Sequence, residues 1–528
     1  MRTPLKNVLR DHYEVAVIGG GINGAGIAEA LAAAGYNVLL VERHDFGSGT
    51  TSRSTRLVHG GLRYLEHGEF GLVYESLRER AALLKLFPHL VKSIDLLLPL
   101  YEGGPYPRWK ARAGLALYDL LALGRGLARH RSLSSQRSLA REPALEAAGL
   151  QGALLFSDGQ VDMAERLAVE CALSAGRRGA DVVNHAEVVK LAQVNNGVLR
   201  LSIQDAITED ALEVGADVVI NATGPWADSL LRRAGVEREP LIGGTRGSHI
   251  VVSAERLEVS NAIYAPAKSD GRPFFVLPWL DMFLIGTTDV RQTGDPDEAR
   301  ATAAETDYLL SEVNALLKSD ISEADIVYTY SGVRPLPYEP QEMEGAITRR
   351  HFLVDHGADG LPGVYSLVGG KLTTYRSVGQ KAVRLIQRRI GERWPANVES
   401  PTNGDGATPN SFRRQWGARA AEVHGRYCDR PELLERLCEH APEPRATVVE
   451  AVREELATSL ADVLLRRTSI GWRICGGDHV ADEAASLMGR ELGWNASRCH
   501  REVEGFRHEV ERVRPGVPVR YSAAATSP

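Results

Sequence analysis

Three glycines near the start of the chain, spaced as Gly19-x-Gly21-x-x-Gly24, could bind the pyrophosphate of a dinucleotide. In this spacing the glycines permit a sharp turn, a close approach of backbone to phosphate, and tight packing of a helix on a strand. An apolar run at 14–18 precedes them, and a second one ends at Glu42, whose carboxylate can accept hydrogen bonds from a ribose diol. The pattern predicts a strand, turn, helix and strand that bind either NAD or FAD, since both cofactors use this cradle.

Three arginines and a histidine further along could act on a substrate. Arg334 precedes a proline at the end of an apolar run and could simply form a surface ion pair. Together with Arg63 and Arg349 in one cleft it would imply an anionic substrate, because guanidinium groups match phosphate oxygens bidentately. His249 opens an apolar run, where a histidine is either structural or a proton acceptor. An arginine or lysine would need a strongly depressed pKa to accept a proton.

A loop rich in Gly, Ser and Thr, residues 47–55, follows the predicted nucleotide site. Its hydroxyl and backbone groups could donate hydrogen bonds to a flat polar or polyanionic ligand, whereas the alternative is a flexible solvated loop. The loop leads into His59, Gly60 and Gly61, and two adjacent glycines favour backbone lying close against a ligand. We therefore expect this stretch to line the cofactor site.

The runs GGGINGAG at 19–26 and HGGLRYLEHGEF at 59–70 resemble the FAD-dependent glycerol-3-phosphate dehydrogenases, within the D-amino-acid-oxidase-like class of flavin oxidoreductases. The resemblance extends over nearly the whole chain. It implies FAD as the cofactor, with the Ser/Thr loop lying along it and with Arg63 and Tyr64 facing the substrate. It also implies oxidation of sn-glycerol 3-phosphate to dihydroxyacetone phosphate by hydride transfer from C2 to flavin N5, with electrons passed on to a membrane quinone.

Two later stretches also resemble flavoprotein contacts. The Ala-Thr-Gly run at 222–224 ends an apolar run, and such small residues let the backbone approach FAD, which an NAD-only dehydrogenase does not need. At 364–376 an apolar run is followed by glycines and a predicted helix, with Thr373 or Thr374 suited to the N-cap. The resemblance places this helix N-terminus at the flavin edge where negative charge develops on reduction, and Lys371 would add a positive charge there. The GGKLTT run lacks the first glycine and the spacing of a P-loop.

The resulting site prediction has three parts. The catalytic residues are His249, Arg334 and Lys371, and the substrate-binding residues are Arg63, Tyr64, Arg334, Arg349 and Lys371. The cofactor-binding residues, most of them on the stretches above, are Gly19, Gly21, Ile22, Asn23, Gly24, Glu42, Arg43, Thr51, Ser52, Ser54, Thr55, Arg56, Leu57, His59, Gly60, Gly61, Val188, Ala222, Thr223, Gly224, Gly370, Leu372 and Thr373. No metal site is predicted, because the spacing of Cys475, His479, Cys499 and His500 matches no zinc pattern.

The order of apolar runs predicts the scaffold that positions these residues. Strand and helix patterns alternate around the glycine turn, whereas 241–341 is rich in strand patterns separated by turn residues. We expect an α/β fold with a Rossmann-type FAD-binding domain, a mixed, largely antiparallel substrate-binding sheet and a C-terminal helical domain. The predicted boundaries are 10–90, 155–240 and 350–394 for the FAD-binding domain, 91–154 and 241–349 for the substrate-binding domain, 395–410 for a linker, 411–520 for the helical domain with a helix at 446–467, and 521–528 for a disordered tail.

Length and composition argue against several classes of protein. At 528 residues the chain is too long for one core, and a net charge of −6 without long single-sign blocks gives no indication of nucleic-acid binding. Five scattered cysteines favour a reducing compartment over a disulfide framework. The start of the chain lacks the apolar core of a secretory signal, and no apolar run is long enough to span a bilayer. We therefore expect a cytoplasmic protein.

An apolar segment at 113–123, with Trp109 before it and basic residues on both sides, has two interpretations. It is either a monotopic membrane anchor, whose body enters the interface while its ends meet anionic headgroups, or a buried helix with solvated ends. The resemblance favours the membrane, since family members pass electrons to membrane quinone. We expect a protein that lies peripherally on the inner face of the cell membrane and that could form a homodimer.

Three alternative functions remain open. A glycerol-3-phosphate oxidase would pass electrons to O₂ and release peroxide, although the large insertion seen in the oxidase relatives is missing from this sequence. A non-catalytic flavin-binding protein would not need Arg63, Arg334 and Lys371 together. An NAD-linked dehydrogenase would share the glycine turn but would not be yellow when purified.

Overall fold

The computed structural model describes residues 1–194, 197–342, 347–394 and 408–514, which form two sheets with helices packed around them. The strands are β1 (His12–Ile18), β2 (Val38–Val41), β3 (Leu57–Val58), β4 (Val91–Tyr101), β5 (Arg131–Ser134), β6 (Leu150–Val161), β7 (Asp181–Val183), β8 (Ala186–Gln193), β9 (Leu199–Asp205), β10 (Ala211–Asn221), β11 (Thr245–Ser253), β12 (Ala262–Pro266), β13 (Pro273–Trp279), β14 (Met282–Gly286), β15 (Val290–Arg291), β16 (Ile326–Arg334), β17 (Phe352–Asp355) and β18 (Val364–Val368).

The α-helices surround both sheets and form most of the C-terminal part. They are α1 (Ile22–Ala33), α2 (Phe70–Leu86), α3 (Arg108–Leu121), α4 (Ser135–Arg141), α5 (Ala164–Arg177), α6 (Ala227–Arg233), α7 (Ala303–Leu316), α8 (Tyr375–Ile390), α9 (Asn410–Trp416), α10 (Ala420–Tyr427), α11 (Pro431–Leu434), α12 (Ala446–Glu454), α13 (Asp478–Leu492) and α14 (Ala496–Glu511). Residues 395–407 of the predicted linker and the whole predicted tail lie outside the described residues.

The first sheet has the order β17-β18-β10-β1-β2-β7, and every neighbouring pair from β18 to β7 is parallel. Its central strands are buried on both faces, which explains their continuous apolar sequences. Ile18 pairs with both Val41 and Asn221, so β1, β2 and β10 end at the same edge. This edge therefore brings the glycine turn, Glu42 and the 222–224 run together, as the Rossmann-type prediction requires.

The second sheet has the order β15-β11-β14-β13-β12-β4-β6-β3, with β16 added to β11 and β5 added to β6. All of its pairs are antiparallel except β12 with β4. The mixed, largely antiparallel sheet is thus confirmed, although α7 interrupts the strand-rich region. Strand β6 runs without a break from Leu150 to Val161, across the boundary proposed at residue 155.

The C-terminal part is helical, but the single helix predicted at 446–467 is wrong. Helix α12 ends at Glu454, and a π-helical segment, Asp462–Arg467, follows after a turn. Leu456 has a φ of 58°, which a continuous right-handed helix does not allow. The Asp462 carboxylate accepts the backbone N–H groups of Thr458 and Ser459 in this turn, and the second segment begins at Asp462. Within the described residues, no helix combines the length and the apolar character needed to cross a bilayer.

Candidate active site

The glycine turn between β1 and α1 has the geometry that the sequence predicts. Gly19 has a φ of 105°, and a Cβ atom there would lie 2.6 Å from the carbonyl oxygen of Ala222. A Cβ on Gly24 would lie 1.9 Å from the carbonyl oxygen of Gly19, so only glycine allows the helix to pack this close. Helix α1 has Gly21 at its N-cap and no cap from the N-cap side chain, so its N-terminus, which lines the cavity described below, favours an anionic ligand.

Glu42 is held at the end of β2 by two backbone groups. Its Oε2 accepts the N–H of Gly20 at 2.6 Å, and its Oε1 accepts the N–H of His44 at 2.8 Å. A carboxylate oxygen has more than one lone pair, so these bonds orient the group and leave acceptor capacity for a ribose.

A single large cavity of about 1020 Å³ begins at this turn and extends to the second sheet. It is lined by every predicted catalytic and substrate-binding residue and by all but two of the predicted cofactor-binding residues. The exceptions are Gly24, which packs beneath the turn, and Gly60, whose N–H bonds to the hydroxyl of Tyr118 at 2.9 Å. Both glycines therefore support the wall of the cavity from behind.

The Ser/Thr loop lines the cavity, but one of its predicted ligands has a structural role. Arg56 is fully buried, and its guanidinium donates to both carboxylate oxygens of Glu165 at 2.8 and 2.9 Å. It lies between the rings of Trp279 and Trp472, at 4.4 and 5.4 Å from their centroids. Both terminal nitrogens of Arg56 bond to acceptors within the protein, so we assign this side chain to fixing the loop on α5, while its Nε has no partner among the described residues. Thr51 contributes differently, since its Oγ1 accepts the N–H of Ile22 at 3.0 Å.

Four cations meet at the far end of the cavity, as the sequence predicts. Arg334 and Arg349 bind the same carboxylate, that of Asp289, at 3.1 and 2.9 Å. Arg63 lines the same wall, and its guanidinium makes no hydrogen bond or ion pair with the described part of the chain. Lys371 donates from Nζ to Ser76 Oγ at 2.9 Å.

The electrostatics of this cluster favour an incoming anion. Burial opposes the charge of Asp289, but Arg334 and Arg349 outweigh it and lower its pKa. Asp289 therefore offsets part of the charge of the three arginines, while Glu75 and Glu69 favour the charge of Lys371. Desolvation lowers the pKa of both Arg334 and Lys371, which means that their positive charges lack full solvation. The Lys371 ammonium also lies 4.3 Å from the ring centroid of Tyr64, which places the predicted orienting residue in the cluster.

The cavity fits a dinucleotide cofactor. Buried polar atoms on its lining that have no hydrogen-bond partner among the described residues include Asn23 Oδ1, Arg56 Nε, Trp226 Nε1 and His249 Nδ1. Buried polar atoms without partners are rare in folded proteins, so these are places where a ligand is expected to bond. Together with the glycine cradle they match a large polar ligand that lies along the whole cavity.

Comparison with known proteins identifies the family. Residues 14–376 match the family of FAD-dependent oxidoreductases, and residues 364–499 match the C-terminal domain of alpha-glycerophosphate oxidase. The glycerol-3-phosphate dehydrogenase of Synechocystis sp. is 39% identical over 535 residues, which cover 95% of this chain and 96% of the relative. The chain belongs to the FAD-dependent glycerol-3-phosphate dehydrogenase family. The aerobic glycerol-3-phosphate dehydrogenase of Staphylococcus aureus is 34% identical over 403 residues, which cover 76% of this chain and 71% of that protein.

Solved structures agree with this family and with FAD as its cofactor. The glycerol-3-phosphate dehydrogenase of Bacillus halodurans, complexed with FAD, matches with a TM-score of 0.76 and 25% identity and covers 98% of both chains. The L-alpha-glycerophosphate oxidase of Mycoplasma pneumoniae, with FAD bound, shares the fold with a TM-score of 0.58 and 18% identity, over 74% of this chain and 99% of that one. The chain is an FAD-dependent oxidoreductase, and the choice between NAD and FAD is settled for FAD.

His249 lies on β11 at the junction between the predicted flavin loop and the cations. Its Nε2 lies 2.9 Å from Thr55 Oγ1, and its ring lies 4.9 Å from that of Tyr330. Desolvation, with the positive charges of Arg334 and Arg56, lowers the pKa of His249 to about 3. The imidazole is therefore neutral at physiological pH and has a lone pair that can accept a proton.

The turn before α8 shows how glycines bring a helix terminus to the cavity. Gly369 and Gly370 have φ values of 77° and 94°. Thr374 occupies the N-cap position but makes no capping hydrogen bond, while Thr373 Oγ1 accepts the N–H of His59 at 3.1 Å. The N-cap prediction thus holds for the position of Thr374 and not for a capping bond. The uncapped helix terminus favours negative charge nearby.

Sequence reasoning missed the residues that hold the predicted ones in place. Asp289 is separated from Arg334 by 45 residues and from Arg349 by 60, and Ser76 is separated from Lys371 by 295. No spacing rule connects Asp289, in the GTTD run at 286–289, to arginines so far along the chain. From the sequence, Asp289 could be recognised only as an acidic residue near the end of a predicted strand, in a region where other predicted strands end in basic residues.

Proposed function

We propose that this chain oxidises sn-glycerol 3-phosphate to dihydroxyacetone phosphate and passes the electrons to a membrane quinone. The observation that carries the proposal is the meeting of Arg63, Arg334, Arg349 and Lys371 on one wall of the predicted flavin cavity, next to His249. The relatives from Synechocystis sp. and Staphylococcus aureus, both glycerol-3-phosphate dehydrogenases, are named for the same substrate. The individual roles of these residues are part of the proposal.

The cation cluster supplies a reason for selecting a phosphorylated substrate. Each hydrogen bond to a charged group contributes about 1.5–3 kcal/mol. A phosphate can accept bonds from several of these side chains at once, whereas free glycerol would leave the desolvated charges of Arg334 and Lys371 without partners. We therefore expect the phosphoester to be preferred over glycerol by roughly 10⁴-fold in kcat/KM.

The chain's own residues would bind and orient the substrate and remove one proton. Bound FAD supplies the acceptor for the hydride that leaves C2. Arg63, Arg334 and Arg349 would hold the phosphate, while Lys371 and Tyr64 would orient the C2 oxygen. Neutral His249 would accept the C2 hydroxyl proton as the C2–O double bond forms, and the phosphate dianion would raise its low pKa on binding.

Anaerobic addition of sn-glycerol 3-phosphate to the flavin-loaded protein tests the reaction. We expect the visible flavin absorbance to bleach, with one dihydroxyacetone phosphate formed per flavin, while glycerol at the same concentration leaves the spectrum unchanged. A spectrum that does not change with the phosphoester would contradict the proposal and favour a flavin-binding protein without turnover.

The electron acceptor is tested on the same bleached protein. Under the proposal a soluble quinone analogue restores the absorbance faster than air-saturated buffer does. Rapid reoxidation by O₂ with stoichiometric peroxide would instead identify the alternative function, a glycerol-3-phosphate oxidase.

Peripheral membrane contact is supported by exposed apolar side chains on α2, on α3 and in the turn after α3. These are Phe70, Tyr74, Trp109, Leu120 and Leu123, which are 48–73% exposed. Basic residues flank them, and Arg125 lies 4.1 Å above the ring of Tyr74. Leu115 and Tyr118, on the opposite side of α3, are buried. An apolar face with a basic border is suited to the interface of an anionic membrane.

Vesicle binding tests this surface. We expect the protein to co-sediment with vesicles that contain anionic lipid, and the double variant Trp109→Glu, Leu120→Glu to stay in the supernatant. Trp394→Glu, a change at another exposed tryptophan, is the matched control and should bind as the parent does. Equal binding by the two variants would contradict this assignment.

The cytoplasmic location and the homodimer stay predictions, and the homodimer is tested by sedimentation of the detergent-solubilised protein.

A further inference from the structure

Two sulfur atoms and an imidazole meet in the C-terminal helical part, outside the cavity described above. Cys438 Sγ lies 3.8 Å from Cys475 Sγ and 3.6 Å from His479 Nε2. The three potential ligand atoms all lie within 4.8 Å of one another. Cys438 and Cys475 are buried, whereas His479 is exposed, so the cluster opens to solvent on the histidine side. The sulfurs are too far apart for a disulfide, whose bond is about 2.05 Å long.

These separations match the edges of a tetrahedral zinc site. Zinc binds cysteine sulfur at about 2.3 Å and histidine nitrogen at about 2.0–2.1 Å in tetrahedral geometry. Two sulfurs on such an ion are therefore about 3.8 Å apart, and a sulfur and a nitrogen are about 3.6 Å apart. Two of the three distances between ligand atoms thus match a tetrahedral zinc site, and the third, between Cys475 Sγ and the His479 ring nitrogen, is at most 4.8 Å.

The backbone around the cluster is also shaped as a metal site requires. Cys475 is followed by Gly476 and Gly477, whose φ values of 65° and 75° turn the chain around the sulfur. A hydrogen bond from the Gly477 N–H reaches Cys475, as is usual for a metal-binding thiolate. His479 is the second residue of α13, so its position relative to Cys475 is fixed by the helix. Cys438 comes from the loop between α11 and α12, which an isolated bridge between residues 436 and 444 closes.

We propose that Cys438, Cys475 and His479 bind a structural zinc ion. Two thiolates and an imidazole suit zinc and disfavour magnesium, calcium and manganese, which prefer oxygen ligands. The fourth position would be taken by water or by His440, whose ring centroid lies 6.0 Å from that of His479 and whose exposed side chain can rotate toward it. The ion would join two chain segments and so stabilise the helical domain.

The site would also fix a segment that reaches the active-site cavity. Trp472, three residues before Cys475, lines that cavity, and its ring lies 5.9 Å from that of Tyr330. The hydroxyl of Tyr328 bonds to the carbonyl of Gly471 at 3.1 Å, which ties the same segment to the second sheet. Zinc at Cys475 would hold the other end of this segment.

Metal analysis of the flavin-loaded full chain tests the proposal. The protein is purified under reducing conditions without chelator, incubated with Zn²⁺, and freed of excess ion by gel filtration. We expect one zinc per chain in the parent and in Cys428→Ser, a control at an exposed cysteine of the same domain. Cys438→Ser should lose the zinc. If Cys438→Ser fails to fold, His479→Ala is the alternative variant, because its position is exposed and tolerates substitution. We expect His479→Ala to bind zinc at least tenfold more weakly than the parent.

Cobalt substitution gives a second readout that does not depend on activity. Co²⁺ in a tetrahedral site with sulfur ligands absorbs to the red of the flavin, and this absorption should appear in the parent and in Cys428→Ser and be absent from His479→Ala. A parent protein that retains no zinc, or that retains it equally in all variants, would overturn the proposal.

Discussion

Lys371 is the cation of the proposed substrate site whose charge depends most on pH, because desolvation lowers its pKa. As the pH rises through that lowered value, the side chain loses its positive charge and a contact to the substrate. We expect KM for the phosphorylated substrate to rise over a pH range that lies below the ordinary lysine pKa of about 10.4. In Lys371→Arg the rise should move to higher pH, since arginine keeps its charge. Steady-state KM across this range tests the prediction, and identical profiles for the two proteins would contradict it.

Arg334 both binds Asp289 and faces the proposed phosphate site. Replacing it with alanine removes a charged hydrogen-bond donor that contributes about 1.5–3 kcal/mol, so kcat/KM should fall roughly 10- to 150-fold, mainly through KM. Arg350→Ala is the matched control, because that side chain is 60% exposed and does not line the cavity. The flavin content of both variants should equal that of the parent. An unchanged KM in Arg334→Ala would remove this residue from the proposed site.

At the scale of elements, the pair Arg56–Glu165 joins the Ser/Thr loop to α5, and both side chains are fully buried. Glu165→Gln would leave the guanidinium charge buried without a counter-charge, and we expect a loss of about 3–5 kcal/mol in the free energy of unfolding. Glu504→Gln, in the exposed pair with Arg507, should lose less than about 1 kcal/mol. Chemical denaturation of the flavin-loaded proteins measures both. Equal losses would show that the buried pair has no special role in holding the loop.

The elements themselves differ in how far local sequence determines them. The unit β1–α1–β2 was predictable because a glycine turn between apolar runs specifies it within about thirty residues. The helix expected at 446–467 was not, because its apolar spacing continues through Leu456, whose positive φ interrupts the helix. The buried carboxylate of Glu455 binds Arg166 on α5, and that of Asp462 binds His185, and these contacts with distant residues favour the break.

At the scale of the whole molecule, the C-terminal part is held to the FAD-binding part by buried charges. Asp45, next to the glycine turn, accepts from Arg466 and Arg467 at 2.8 and 2.5 Å, and all three side chains are buried. His185 adds a partly exposed pair with Asp462 at 3.0 Å. Burial opposes a charge on His185, but Asp462 outweighs it and raises its pKa.

That raised pKa makes the interface depend on pH. The pKa of an unfolded histidine is near 6.5. A group whose pKa is higher in the folded state stabilises the fold fully at pH values below its unfolded pKa. This stabilisation is lost as the pH rises through the pKa of the folded state. His185→Gln should therefore destabilise the protein by about 1–2 kcal/mol near pH 6 and by less near pH 9. Denaturation at both pH values measures this. His12→Gln, in an exposed pair with Asp217, is the control and should change stability by less than about 1 kcal/mol at either pH. A larger effect of His185→Gln at the higher pH would contradict the assignment.

The sequence by itself determined the features that depend on neighbours in the chain. These are the dinucleotide cradle at 19–24, the Ser/Thr loop, the turn before α8, the antiparallel character of the second sheet and, through its motifs, the family. Residues close in sequence are constrained by local backbone geometry, which a pattern can reveal.

Only the tertiary structure decided which distant residues form ion pairs and which lie close enough together to bind one ligand. Asp289 pairs with arginines 45 and 60 residues away, and Cys438 meets Cys475 across 37 residues. No local period encodes such contacts, because the packing of sheets and helices brings their side chains together. The same packing decided that Arg56 holds the loop on α5, since its buried partner Glu165 lies 109 residues away.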